Sequence, residues 1–369
     1  MSARRLVAPA ACALVASCLA GCGSDSNGPT TTPTPTPAPT ATPTPPIPAG
    51  GAGFTYNGIT HTSWSESEYG EAAGTASRQA LAATRANWAG LLVTWYMETK
   101  ASNTIAPNAS SSPSDDVVMR AIDEVHALGL MVMLTPHVDG RDGTWRAQIA
   151  PTDPGAWWAS YAAFMDHYTR IAARKNVGML CIGTELASIS GSRYSGAWTG
   201  LIERIRGQYH GLLTYAANGV DAADEFTSVS FWGRIDLMGA DVYTPLTDSS
   251  SPTRAELVAG WRRNRNGQNM VAAFKNAQQA YGKPLIFTEI GYRSGDGANR
   301  APWDWGVSMA SDPGEQADCY SAMYEVWSSE KAWMKGPFWW SWDVQAPGAS
   351  DTGYNPRGKP AEDQLRGWQ

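Results

Sequence analysis

Eight short apolar runs, each followed by a stretch with helical spacing, limit the folds open to this chain more than any other feature. The runs are 58–62, 88–95, 131–137, 179–183, 212–216, 237–243, 285–288 and 337–340. Nearly continuous apolar and β-branched residues over so few positions read as parallel strands buried on both faces. Helical spacing falls at 77–85, 114–128, 156–174, 197–206, a short 222–228, 254–281 and 313–327, with a ragged tail. Ser112-Pro113-Ser114-Asp115-Asp116 opens the second of these and Gly129 closes it. Eight alternating β/α units predict an α/β fold, a (β/α)8 TIM barrel over residues 54–369. An open doubly wound sheet needs a glycine-rich phosphate turn after its first strand. Gly58-Ile59-Thr60-His61-Thr62-Ser63-Trp64 is not one.

The residues ahead of the barrel have a different composition. Met1 to Gly21 reads as a lipoprotein signal peptide: Arg4 and Arg5, an apolar run, then Leu19-Ala20-Gly21-Cys22 with Cys22 as the lipidation site. Residues 22–53 follow as a linker, and between Pro29 and Pro48 it is proline and threonine apart from Ala38, Ala41 and Ile47. Such a run favours extended polyproline II and reaches about 60 Å at ~3.1 Å per residue. The expected address is an exported bacterial lipoprotein, cell-surface or periplasmic, touching the membrane only through its lipid. Loss of Arg4 and Arg5 with the leader takes the formal charge from −6 to −8. An acidic chain with 17 tryptophans and 14 tyrosines is a poor nucleic-acid binder and a good partner for flat, neutral sugar chains. A monomer is expected. Of the cysteines only Cys181 and Cys319 remain after processing, and both read as buried thiols. The five histidines are scattered without metal-ligand spacing, and no cofactor or metal is expected.

Two of the strands end on a glutamate: Met179-Leu180-Cys181-Ile182-Gly183-Thr184-Glu185 and Pro284-Leu285-Ile286-Phe287-Thr288-Glu289. The C-terminal rim of a barrel collects catalytic groups from several strands, and a pair of carboxylates there points to glycoside hydrolysis. Alternation along the strands sets Glu185 on the face of Gly183 and Cys181, and Glu289 on that of Phe287 and Leu285. By the same count His137 shares a face with Thr135 and Met133, and Tyr243 with Asp241 and Gly239. In Phe338-Trp339-Trp340-Ser341-Trp342, Trp339 reads as core and Trp340 or Trp342 as a sugar platform.

Ile59-Thr60-His61-Thr62-Ser63-Trp64, Asn87-Trp88 with Leu92-Val93-Thr94-Trp95-Tyr96, Leu134-Thr135-Pro136-His137-Val138-Asp139, Ile182-Gly183-Thr184-Glu185-Leu186, Asp241-Val242-Tyr243 and Phe287-Thr288-Glu289-Ile290-Gly291 together resemble glycoside hydrolase family 113. The resemblance spans nearly the whole barrel. It implies a retaining β-1,4-mannanase of a large barrel clan, with Glu185 as acid/base and Glu289 as nucleophile. Most of that clan has asparagine immediately before the acid/base, contacting the substrate 2-hydroxyl. Thr184 stands there in this chain, leaving Asn218 or His137 to supply the contact. The expected roles of the rest follow: a protonated Glu185 and an ionised Glu289, Tyr243 holding the nucleophile, Asp241 in the substrate site, and Trp64, Trp95, Trp145 and Trp340 stacking on sugars. Arg146 binds a hydroxyl or pairs with an acid. The expected substrate is mannan, glucomannan or galactomannan. The alternatives are another β-linked glycan, such as β-glucan or xylan, or a surface lipoprotein that binds glycan without cleaving it.

Overall fold

The computed structural model describes residues 53–221, 224–348 and 350–367. The expected leader, Cys22 and the proline–threonine run lie outside them. Eight strands close into a parallel barrel in chain order: β1 Gly58–Thr62, β2 Trp88–Met97, β3 Met131–Gly140, β4 Met179–Thr184, β5 Leu212–Asn218, β6 Leu237–Val242, β7 Leu285–Ile290 and β8 Met334–Asp343. Around it run α1 Ala72–Ala82, α2 Asp115–Ala127, α3 Pro154–Arg174, α4 Ser195–Arg206, α5 Arg254–Gly260, α6 Met270–Tyr281, α7 Pro313–Trp327 and α8 Pro360–Gly367. The fold is the expected TIM barrel.

Local chemistry sets where the helices begin. Asp153 accepts from the Ala156 N–H, and Pro154 fills the first turn of α3 where no amide donor is needed. The single helix expected over 254–281 is two. Thr253 and Glu256 form a capping box that starts α5, the chain then turns through Gly267 at φ +75°, and Asn269 caps α6 by accepting from the Ala272 N–H. The helix expected over 77–85 starts earlier, at Ala72. Of the stretch 222–228, the described residues contribute a single 3₁₀ turn, Glu225–Thr227.

Two apolar layers hold the barrel. The larger lies outside it, between strands and helices. The smaller plugs the lower interior with Trp88, Met131, Met133, Met179, Ile286 and Phe338, side chains from the N-terminal parts of their strands. Above this plug the buried interior turns polar, with Thr94, Thr135, His137, Thr214, Asp241 and Thr288. A dry floor under a polar upper half confines chemistry to the C-terminal mouth. Cys181 and Cys319 are both free and buried. Among the described residues no helix is long and apolar enough to cross a membrane.

Candidate active site

Both glutamates reach the mouth through irregularities that simple alternation does not contain. On β4, Cys181 pairs with Thr214 and Thr184 with Ala216, so two residues of β4 oppose Tyr215 alone. The extra residue turns Gly183 outward, where an added Cβ would lie 2.8 Å from the Tyr161 hydroxyl and 2.8 Å from the Tyr215 ring. Glu185 follows with φ +50°, a left-handed conformation uncommon for a residue with a side chain. On β7, Ala240 of β6 pairs with Phe287 and Asp241 with Glu289, leaving Thr288 as the inserted residue. Leu285 and Phe287 face the outer layer. The expected shared faces of Glu185 with Gly183, and of Glu289 with Phe287 and Leu285, are therefore corrected: a bulge before each glutamate re-aims it.

Glu185 is held by three donors. The Trp145 Nε1–H donates to Oε2 at 2.9 Å, and Arg146 Nη1 approaches the same oxygen at 3.4 Å. The Asn218 amide donates to Oε1 at 3.4 Å. With two donors on Oε2, a proton carried by Glu185 belongs on Oε1. Arg146 resolves its two expected roles in favour of pairing: Nε and Nη2 donate to Asp139 Oδ1 at 3.0 and 2.7 Å. It bridges the end of β3 to the end of β4.

Glu289 sits deeper. The Tyr243 hydroxyl donates to its Oε2 at 2.7 Å, and His137 Nε2 stands 3.8 Å from Oε1. Burial, followed by the positive field of Arg146, pushes the His137 pKa well below its ordinary value. The imidazole is thus neutral, and this contact is dipolar, not an ion pair. Burial first and the charge of Glu185 second push Glu289 up to about 8, against the opposing pull of Tyr243 and Arg146. The direction favours the protonated carboxyl at Glu289. That direction runs against the ionised Glu289 expected from sequence, because the position is drier than a strand end suggests.

Aromatic rings flank the pair. Trp64 and Trp145 are each 48% exposed. Trp64 lies 6.4 Å from the Trp340 ring, and Trp340 is parallel to His137 at 6.5 Å. Two carboxylates thus stand at the ends of β4 and β7, with Trp145 bonded to Glu185 and Trp340 beside His137. The sequence profile of Glycoside Hydrolase Family 113 matches residues 58–359. The chain belongs to this family. A family 113 β-mannanase from Alicyclobacillus acidocaldarius, solved in complex with ManMIm, is 31% identical; the match covers 87% of this chain and 97% of that one at a TM-score of 0.75. A family 113 β-1,4-mannanase solved as a complex is 26% identical, with 85% and 97% covered and a TM-score of 0.75. A further structure of a family 113 β-1,4-mannanase is 27% identical, with 84% and 97% covered and a TM-score of 0.74. A search of curated protein sequences gives no match.

As a family 113 glycoside hydrolase, the chain gathers most of its expected site residues in two groups: Trp145, Arg146 and Asn218 on Glu185, and Tyr243 and His137 on Glu289. Three expectations change. Trp95 pairs with Val138 in the β2–β3 register, so it faces outward onto Phe164, His167 and Tyr168 of α3 and not into the cleft. Asp241 is wholly buried, pairs in register with Glu289 and accepts from the Thr288 hydroxyl at 2.7 Å, so its carboxyl presents no surface to a sugar. Burial, then the charges of Glu289 and Glu185, push its pKa well up. Trp342 is buried and donates to the Ser77 carbonyl, leaving Trp340 as the eighth strand's cleft residue. Trp339 is core, as expected, stacked on Tyr320 at 3.6 Å.

Thr184 is buried, with Cys181 Sγ 3.9 Å from its hydroxyl. Sequence reasoning missed Asp139, although alternation puts it on the His137 face two residues on. It also missed Tyr354, whose ring lies 6.0 Å from Tyr243. That residue comes from an irregular segment after β8 with no periodic signal.

Proposed function

We propose that the protein is a retaining β-1,4-mannanase acting on mannan, glucomannan or galactomannan. One observation carries the reading: Glu289, fixed by Tyr243, and Glu185, fixed by Trp145, Arg146 and Asn218, stand at strand ends of one mouth, and the charge of Glu185 raises the cost of ionising Glu289. A pair that holds one proton suits double displacement. In the first step Glu289 attacks the anomeric carbon, the glycosidic C–O electron pair goes to the leaving oxygen, and that oxygen takes the proton from Glu185 Oε1. Positive charge developing on the sugar ring favours the anion at Glu289 and so shifts the resting proton towards Glu185. In the second step Glu185 removes a proton from water, which displaces Glu289 from the anomeric carbon. We take His137, neutral and with neither buried ring nitrogen bonded to a described residue, as the candidate for the 2-hydroxyl contact left open by Thr184.

The substrate reading draws on the β-mannanases the chain is similar to. Incubating the protein with β-mannan, glucomannan, xylan and β-glucan, reading reducing ends, tests it; fastest release from mannan is expected, and faster cleavage of xylan or β-glucan overturns it. Glu289→Ala should abolish turnover while mannan binding survives. Retention predicts a carboxyl separation of about 5 to 5.5 Å, against roughly 6.5 to 9.5 Å for inversion; proton NMR of the first-formed sugar anomer decides between them. We place the protein at the membrane through lipid on Cys22, on the strength of Leu19-Ala20-Gly21-Cys22 and the proline–threonine run. Release of Cys22→Ala from the membrane fraction is the expected result.

A further inference from the structure

Glu225 lies in the 3₁₀ turn after β5 and is 4% exposed. No step of the mechanism uses it, yet both its oxygens are engaged towards Glu185. The Tyr215 hydroxyl donates to Oε1 at 2.5 Å and the Asn218 N–H to Oε2 at 2.9 Å. The Tyr215 oxygen in turn accepts from the Leu186 N–H at 2.8 Å, the peptide just past Glu185. The Asn218 side chain is the donor on Glu185 Oε1. Glu185 adopts its left-handed backbone at φ +50°, a conformation that persists only where its surroundings over-determine it. The Glu185 N–H bond to the Ala216 carbonyl at 2.7 Å is one restraint, and the Tyr215–Leu186 bond is the next.

We propose that Glu225 is a positioning residue for Glu185, acting through Tyr215 on the peptide that follows it and through Asn218 on its carboxylate. This rests on Glu185 being the acid/base. Glu225→Gln keeps the shape but sets an NH₂ group either against the Asn218 N–H, losing that bond, or against the Tyr215 hydroxyl, which must then accept and so reverses the bond. A dinitrophenyl β-mannobioside needs no proton on its leaving group. In the full chain, E225Q should therefore lose about 10–100-fold in kcat on mannan, the usual weight of a bond to a charged group, while the dinitrophenolate burst changes less than about threefold. Tyr215→Phe should show the same selectivity with an unchanged KM. Equal losses on the two substrates, or none on mannan, overturn the proposal. A crystal structure of E225Q reads it without turnover: Asn218 should draw back from Glu185, and an unmoved Asn218 and Leu186 overturn it. An inactive parent would count against the mannanase reading alone.

A separate observation concerns residues 291–312, between β7 and α7. They turn Trp303 and Trp305 to solvent, 45% and 80% exposed, and are braced from beneath. Arg293 is 7% exposed and donates to the carbonyls of Asp304 at 3.0 Å, Val307 at 2.6 Å and Thr352 at 3.1 Å. The Tyr354 hydroxyl donates to the Pro302 carbonyl at 2.5 Å, and the Tyr354 ring packs beside Tyr243. Two large rings on a fixed backbone, joined to the nucleophile's own support, present stacking area with little left to order on binding. We infer that this loop is a stacking platform for sugars of the same β-linked chain beyond the reacting unit. The inference rests on the glycan reading above. The W303A/W305A double variant should raise KM on long mannan about 5–20-fold, roughly 1–1.8 kcal/mol, and leave kcat and the mannobioside burst unchanged. An unchanged KM on long mannan overturns it, as does a concentration-dependent dimer of the parent that the double variant abolishes. Affinity electrophoresis of Glu289→Ala in mannan gels reads the same loss without turnover.

Discussion

Tyr243 donates to one oxygen of Glu289 while His137 stands against the other, so this carboxylate is oriented before any sugar arrives. Removing the hydroxyl with Tyr243→Phe deletes a bond that strengthens as charge settles on Glu289; kcat should fall about 10–100-fold with KM little changed, measured on mannan. The proton balance of the pair makes a second prediction. Glu289 is raised from 4.5 to about 8 in the folded chain, so kcat/KM should decline above about pH 8, when the last shared proton leaves and no acid remains for the first step. A profile flat to pH 9.5 would show that the pair holds no such proton. The same shift has a sign for stability. A carboxyl that binds its proton more tightly when folded stabilises the fold at low pH and loses that contribution as pH rises through the folded value. Glu289→Gln carries no charge to bury, so its melting temperature should match the parent near pH 5 and exceed it at pH 9, by calorimetry.

Between residue and fold stand the two bulges, and here the sequence was least legible. All eight strands and their order can be read from apolar runs, because a strand buried on both faces leaves a strong compositional mark. Which way a strand-end residue points is a different matter. On β3 and β6, where the register is unbroken through His137 and Asp241, alternation places His137 and Tyr243 correctly. On β4 and β7 one inserted residue reverses the count, and nothing in Ile182-Gly183-Thr184 or Phe287-Thr288-Glu289 announces it beyond a glycine. The split of 254–281 into α5 and α6 was, by contrast, written in Asn264, Gly267 and Asn269, whose turn and capping preferences outweigh the helical spacing around them. Gly183 also offers a test at this scale. Gly183→Ala sets a methyl 2.8 Å from both Tyr161 and Tyr215, contacts that have to give way. A loss of about 1–3 kcal/mol by denaturant titration is expected, with a fall in kcat beyond it, since Tyr215 also holds the peptide after Glu185. Full stability and full activity would mean that β4 is not bulged there.

Taken over the whole chain, the buried titrating groups fall into two sets that limit stability from opposite sides. His61 is buried and lowered to about 3, chiefly by burial and then by Arg78 and Arg357, and His137 is lowered too. An unfolded chain protonates both below 6.5, so their contribution is complete above that value and is lost as pH falls. Glu289, Glu225 and Asp241 are raised, Glu225 to about 7 by burial above all. Their contribution is complete only below the ordinary carboxylate range and is lost as pH climbs through 7 and 8. Between about pH 4.5 and 6.5 the gain from the two histidines offsets the loss from two of the three carboxyls, so the melting temperature should decline gently there and fall more steeply on both sides. Net charge adds to the alkaline fall, because a chain already at −6 repels itself more as protons leave. Salt separates the two causes. At 1 M, with a Debye length of about 3 Å, surface repulsion is screened while buried carboxylates are not. The alkaline fall should persist at 1 M salt in the parent and shrink in the Glu289→Gln, Glu225→Gln double variant; a fall that salt abolishes would assign it to the surface instead.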